Sequence, residues 1–300
     1  MHRCVKKKRE RINDMKKPGD RKDGVLLRDL DSMHFIVPII YPNRCDNEAF
    51  ISERIDLTAL DAYLERKNAG DPVYKYNLFQ AIVTAMLKTV TLRPKMNRFI
   101  VNSNVYQRNE VSAAFVVKKQ FSDNGAEGLA FIHSLPEDTI DTVHDKIYRQ
   151  VTDNRGDKVD ASTDSMDMFN RMPRFLGKAI VKFICFLDRH GWVPSSLIAT
   201  DPYYSSVVLT NLGSIKLHSG YHHLTNWGTN SLFVAIGERK VRPFYDEEGR
   251  VTMKDSVDIG LTIDERIADG YYYSKTLKLF RKLLEEPELL ETRLDEKVDY

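Results

Sequence analysis

Along this chain of 300 residues the spacing of apolar side chains changes period repeatedly, and the order of those changes limits the fold more than any single motif does. Residues 31–41 form a short apolar stretch that reads as a helix ended by Pro42-Asn43. Residues 49–57 alternate as a strand, with Phe50, Ser52 and Arg54 on one face and Ile51, Ile55 and Leu57 on or near the other. Thr58 is positioned as the N-cap of a helix running to Lys67, and Asn77 as the cap of a stronger helix carrying Leu78, Ile82, Met86 and Val90 on one stripe before Pro94. Strand-like runs follow at 98–106 and 111–118, joined by a polar turn at 107–109. Residues 138–151 read as a helix, 152–167 as a loop, and 168–190 as an apolar helix closed by Gly191. Strands at 205–209, 232–236 and 251–263 and a helix at 271–285 complete the pattern. No repeat and no Gly/Pro/Ser-rich linker divides it. A single α+β domain with a mixed sheet is the expected architecture.

The composition suits such a domain: 42% of residues are hydrophobic and 29% charged, enough to build a core and too apolar for a disordered chain. The longest mainly apolar run, around Phe183-Ile184-Cys185-Phe186-Leu187, is far shorter than the roughly 20 residues a membrane span needs. The start of the chain has no apolar stretch of signal-peptide type. Three widely separated cysteines, Cys4, Cys45 and Cys185, give neither a disulfide framework nor a zinc pattern and fit a reducing, cytoplasmic setting. The net charge of +2 conceals an uneven distribution. Residues 1–24 hold ten Lys/Arg against four Asp/Glu, a net +6, which leaves −4 on the remainder. That arm is expected to be a solvated, poorly ordered terminus, without the aromatic residues that would stack on nucleic-acid bases, so nucleic acid is not an expected partner. No membrane partner is expected either.

Several chemistries lack their motifs. There is no Gly-rich phosphate loop, no dinucleotide-binding fingerprint and no G-x-S-x-G nucleophile elbow. Of eight histidines only His218, His222 and His223 cluster, and no carboxylate spacing beside them suggests a metal, so no metal site is expected.

One ordered series does carry chemistry: Val208-Leu209-Thr210-Asn211-Leu212-Gly213, then Phe233-Val234-Ala235-Ile236-Gly237, then Asp264-Glu265-Arg266-Ile267-Ala268-Asp269-Gly270. It resembles the catalytic domain of the dihydrolipoyl acyltransferases of 2-oxoacid dehydrogenase complexes and their relative chloramphenicol acetyltransferase. In those proteins a T-x-S-N-L-G strand, an A-I-L-x-V-G strand and a terminal D-H-R-x-x-D-G occur in that order. Upstream, Ile55-Asp56-Leu57-Thr58-Ala59-Leu60 is similar to the family's V-D-M-T-x-L segment, and Pro94 with Met96-Asn97-Arg98-Phe99 to its P-x-F-N turn. The similarity spans about residues 30–290.

The resemblance implies a chloramphenicol acetyltransferase-like two-layer α+β sandwich with a mixed sheet, forming one domain over residues 25–300. It implies a homotrimer with its site at a subunit interface. It also implies acyl transfer from a thioester, with a histidine base and a strand hydroxyl that stabilises the oxyanion. Matched residue by residue, Thr210 falls at the hydroxyl, Asp269 at a loop-holding aspartate, and Asp264, Arg266 and Gly270 at structural positions. Glu265 stands where the family has its catalytic histidine. A neutral imidazole with a pKa of about 6.5 is a ready base at pH 7, whereas an ordinary glutamate at about 4.3 is weak. Burial in an apolar tunnel could raise it by about two units. Three roles for Glu265 therefore stand open: a desolvated base, a cation ligand, or a salt-bridge partner of Arg266 or Arg44 in a fold that has lost its chemistry. His222 or His223 is an alternative base if their loop folds over Thr210. Nothing before residue 30 resembles a lipoyl domain, so free acyl-CoA is the expected donor, as a cosubstrate rather than a bound cofactor, with a small hydroxyl, thiol or amine as acceptor. A catalytically silent binding or scaffold protein is the alternative. The segment at about 162–201 exceeds the family's usual connection and is expected to be an inserted helical piece that either lines a pocket or packs on the core.

Overall fold

The computed structural model describes residues 17–118, 127–155 and 172–300. Two sheets form its frame. A small antiparallel sheet has β1 (Gly24–Leu26), β4 (Asn104–Arg108) and β3 (Arg98–Val101) in that order. A six-stranded sheet has the order β2 (Glu48–Asp56), β9 (Val251–Asp264), β8 (Leu232–Tyr245), β7 (Val207–Asn211), β5 (Val111–Lys118) and β6 (Glu127–Ser134). Within it β7 runs parallel to both β5 and β8, and the other pairs are antiparallel. The mixed α+β sandwich expected from the sequence is therefore present.

One face of the large sheet carries the core. Ile259, Leu261 and Ile263 of β9 point to it together with Val234 and Ile236 of β8 and Leu209 of β7. They meet α2 (Thr58–Asn68), α3 (Leu78–Leu92), α4 (Ile140–Arg155) and α7 (Gly270–Glu285). The strongest of these helices starts as its sequence requires. The Asn77 side chain accepts from the Gln80 N–H at 3.2 Å and the Gln80 side chain accepts from the Asn77 N–H at 2.9 Å, so two otherwise orphaned donors are satisfied reciprocally. Lys88, buried on the same helix, donates to the carbonyls of Leu289 and Arg293 and so ties down the chain's C-terminal turn.

Several local expectations are corrected. Thr58 is the first helical residue rather than the cap; Leu57 takes the cap position with no side-chain bond, and Asp56 accepts from the Thr58 N–H at 2.9 Å. The run at 98–106 is not one strand. It folds back at Asn102 and Ser103, both at positive φ, a conformation Asn tolerates without a glycine. Strand β6 has no counterpart among the expected elements, and β8 extends well past residue 236 into a hairpin with β9. Helix α4 continues through 152–155 in place of the expected loop. The apolar helix expected at 168–190 is α5 (Arg174–Arg189), followed by α6 (Ser195–Thr200); the proposed start at 168–171 and the insertion's first part, 162–171, lie outside the described residues.

The basic arm divides in the same way. Residues 1–16 lie outside the described residues, but 17–24 belong to the fold, so the domain begins before residue 25. Arg21 is buried, paired with Asp23 at 2.8 Å and with Asp188 of α5 at 2.7 Å. Together these tether the incoming chain to the inserted helix.

Candidate active site

The turn that carries Glu265 is built around a buried ion pair. Asp264 closes β9 with no exposed surface, and its carboxylate accepts from Arg266 in a two-pronged arrangement, Nε to Oδ1 at 2.8 Å and Nη2 to Oδ2 at 2.7 Å. That geometry suits a guanidinium and no other side chain. Arg266 then uses Nη1 to reach the carbonyls of Tyr41 at 2.9 Å and Pro42 at 3.1 Å, just beyond α1 (Ser32–Ile40). Arg44 places Nε 3.7 Å from the Oδ2 atom of Asp264. Burial pushes the Arg44 guanidinium below its ordinary value, with Asp264 pulling against that effect.

These contacts decide one of the alternatives that the sequence leaves open. Arg44 and Arg266 take Asp264, and among the described residues neither is paired with Glu265. The Glu265 N–H donates to the carbonyl of buried Asn47 at 2.9 Å, which fixes the backbone, while the side chain stands exposed at the tip of the turn. Flanked by the two members of the clamp, Glu265 is held through its backbone and open at its carboxylate.

Asp269 and Gly270 open α7. The Asp269 carboxylate accepts from the Tyr272 N–H at 2.8 Å, which holds it below the usual carboxylate range and caps the helix. Gly270 is the first helical residue, and a Cβ there would meet nothing within 4 Å. Among the described residues nothing demands glycine at that position.

Thr210 lies near the end of β7, half-buried, on the sheet face opposite the core. Its neighbours on that face are Ala235 of β8 and, beyond it, Gly260 of β9. The turn after Thr210 requires its glycine: a Cβ on Gly213 would lie 2.6 Å from the carbonyl oxygen of Gly237. The register also measures how far Thr210 is from Glu265. Gly260 is level with Thr210 two strands away, and Glu265 follows it by five residues. At about 3.4 Å per residue and 4.8 Å per strand the separation is roughly 15 to 20 Å. One chain does not bring the two groups to a common reacting atom.

The histidine loop lies across this same open face. A Cβ on Gly260 would come 2.0 Å from the Gly220 carbonyl, Tyr221 packs against Phe50 at 5.2 Å between ring centroids, and His222 stacks on Phe233 at 4.2 Å. The Nδ1 atoms of His222 and His223 lie 2.9 and 3.1 Å from the carbonyls of His223 and Leu224. The loop therefore covers β8, β9 and β2, and His222 is directed at Phe233 rather than at Thr210. Among the described residues no group of His, Cys, Asp or Glu is arranged to hold a metal ion.

Arg44 and Arg266 also line a cavity of about 260 Å³ that is partly open to solvent, together with Asn102, Trp227 and the inner residues of α5, Ile184 and Cys185. Arg44 Nε, buried there, has no hydrogen-bond partner among the described residues. Sequence reasoning singles out Asp264 and Arg266 but misses Asn47, Trp227 and the cavity, because those groups meet only through long-range folding. Trp192, the tryptophan nearest the inserted helix in sequence, is exposed, and Trp227 is the tryptophan in the wall.

Comparison with known proteins places this architecture. Among curated proteins no sequence matches the chain. Residues 196–292 match the family model described as 2-oxoacid dehydrogenases acyltransferase (catalytic domain). Among solved structures, a probable dihydrolipoamide acetyltransferase from Listeria monocytogenes superposes with a TM-score of 0.55 at 14% identity, over 90% of this chain and 96% of that one. A chloramphenicol acetyltransferase does so with a TM-score of 0.54 at 15% identity, over 88% and 98%. The chain has the fold of these acyltransferases. The Azotobacter vinelandii dihydrolipoamide acetyltransferase is a third such structure, with a TM-score of 0.51 at 13% identity over 89% and 94%. For that enzyme a serine, a histidine and an asparagine four residues after the histidine have been investigated for roles in the catalytic mechanism.

Proposed function

We propose that this protein transfers an acyl group from an acyl-CoA thioester to a small hydroxyl, thiol or amine, at a site shared between copies of the chain in a homotrimer. The observation that carries the proposal is the clamped Asp264–Arg266 turn, which holds Glu265 exposed and, among the described residues, unpaired; in this reading Glu265 takes the place of the relatives' histidine. Asp269 follows Glu265 by the same four residues that separate histidine and asparagine in the Azotobacter enzyme. The register supports a shared site: with Thr210 and Glu265 roughly 15 to 20 Å apart in one chain, Thr210 of one copy must work with Glu265 of another. The same contact would enclose Glu265 against an apolar neighbour, the setting in which carboxylates serve as general bases. In the reaction Glu265 takes the acceptor's proton, the acceptor attacks the thioester carbonyl, and the Thr210 hydroxyl donates to the oxyanion. Collapse breaks the C–S bond, and the CoA sulfur takes the proton back from Glu265 to leave as the thiol.

The test measures thiol release from acetyl-CoA and longer acyl-CoAs across an acceptor panel, together with the mass in solution. Turnover that falls at least a hundredfold in Glu265→Gln, and is kept or raised in Glu265→His, supports the base role. Turnover indifferent to both Glu265→Gln and Thr210→Ala removes this site. A second reading, a silent binding protein, is favoured by the exposure of Glu265 in the single chain; CoA binding without thiol release from any acceptor would establish it.

A further inference from the structure

Helix α5 faces the wrong way for a core helix. None of its residues is buried, although it is strongly amphipathic. Its inner side, with Ile184, Cys185 and Asp188, lines the cavity beside Arg44. Its apolar side looks out: Phe175 is 76% exposed and Phe183 60%, with Leu176 and Phe186 beside them and exposed Trp192 just beyond the helix end. At 100° per residue those four helical positions fall within an arc about 100° wide. Arg174, Lys178 and Lys182, all exposed, fall within an adjoining arc about 80° wide, while Arg189 at the helix end lines the cavity.

The helix's one carboxylate, Asp188, is turned inward, accepting from Arg21 at 2.7 Å and from the Tyr204 hydroxyl at 3.2 Å. Within α5 itself, the outward faces therefore carry aromatic rings and cations and no acid. A further cation stands past the helix end, where Lys22 donates to the carbonyl of Val193 at 2.9 Å. No helix of the described residues is long and apolar enough to cross a membrane. A helix of this kind lies in the interface instead, its rings among the acyl chains and its cations at the phosphates.

We propose that α5 docks the protein onto an anionic lipid surface. Exposed Arg174, Lys178 and Lys182 beside a continuous aromatic strip select this occupant, because cations and rings on adjoining faces of one helix match phosphates and acyl chains lying side by side. The inference stands independently of the acyl-transfer reading.

Sedimentation of the full chain with vesicles tests it, using phosphatidylcholine alone and phosphatidylcholine mixed with phosphatidylglycerol. The chain sediments with the anionic vesicles, less with the neutral ones, and high salt releases it. Phe183→Ser with Phe186→Ser weakens binding more than tenfold, and Lys178→Gln with Lys182→Gln about 25-fold, at roughly fivefold per cation. Because these side chains are exposed, the urea midpoint and circular dichroism stay as in the parent. Failure of the parent to bind anionic vesicles overturns the proposal. So does undiminished binding by both double variants. So does a Phe183→Ser/Phe186→Ser chain that binds vesicles normally but loses self-association, which would assign the face to another copy.

Discussion

Replacing Arg266 by Met separates the stability of the Glu265 turn from its chemistry. In the native chain Arg266 makes two charge-assisted bonds to Asp264 and two to the carbonyls of Tyr41 and Pro42, in a place where Asp264 has no exposed surface. Methionine fills similar volume and satisfies none of them. It leaves a carboxylate buried with Arg44 at 3.7 Å as its remaining counter-charge, and two carbonyls without the donor they had. Removing one partner of a buried pair costs about 3 to 5 kcal/mol, and the continued presence of Arg44 puts the expectation at about 3 kcal/mol. Asp264→Asn removes the same interaction from the other side. The double variant should cost less than the sum of the singles by about 2 kcal/mol, since neither clamp partner is left facing a missing one and the loss of Asp264 to Arg44 is common to the Asp264→Asn single and the double variant. Urea unfolding followed by tryptophan fluorescence, repeated at several protein concentrations to separate folding from assembly, supplies the four free energies. An Arg266→Met loss below about 1 kcal/mol, or additive effects in the cycle, would refute the clamp as the element that holds Glu265.

Three further outcomes follow from the geometry. Gly260→Ala sets a methyl group against the Gly220 carbonyl, so it should cost about 1 to 3 kcal/mol and open residues 217–224 to limited proteolysis. Gly270→Ala meets no atom within 4 Å and gains helix propensity, so its unfolding midpoint should rise by the equivalent of about 0.5 to 1 kcal/mol; a fall instead would mean that another copy packs there. Asp269→Ala should cost about 1 kcal/mol at neutral pH by removing the cap of α7. Because the Tyr272 N–H holds the Asp269 carboxyl below its unfolded value, its charged form stabilises the fold above about pH 4, and that contribution is lost as pH falls through the folded value. The stability difference between the parent and Asp269→Asn should therefore shrink on acidification.

The parts of this molecule that can be read from the sequence are those fixed by near neighbours. Asn77 and Gln80 announce their helix because the capping box closes within four residues, and the D-x-R spacing of Asp264 and Arg266 places both groups on one tight turn. The break at Asn102-Ser103 is hidden because it uses two non-glycine residues at positive φ inside an apolar run. Strand β6 escapes notice as an edge strand, where pairing with β5 rather than a marked alternating pattern decides the structure. At the site, Glu265 is legible but its surroundings are not. Asn47, Arg44 and Trp227 come from segments far apart in the chain, and only the sheet register reveals how far Thr210 is from Glu265.

That register has a consequence for mixtures. A chain carrying Thr210→Ala retains its Glu265, and a chain carrying Glu265→Gln retains its Thr210. If each site draws one group from each of two neighbours, unfolding and co-assembling the two inactive proteins regenerates intact sites at about a quarter of the interfaces, assuming random mixing. Each defective protein would then complement the other. In a cell holding both intact and defective copies, one defective copy would silence one of the two sites it shares and leave the other working, and the residue lost would decide which neighbour is affected.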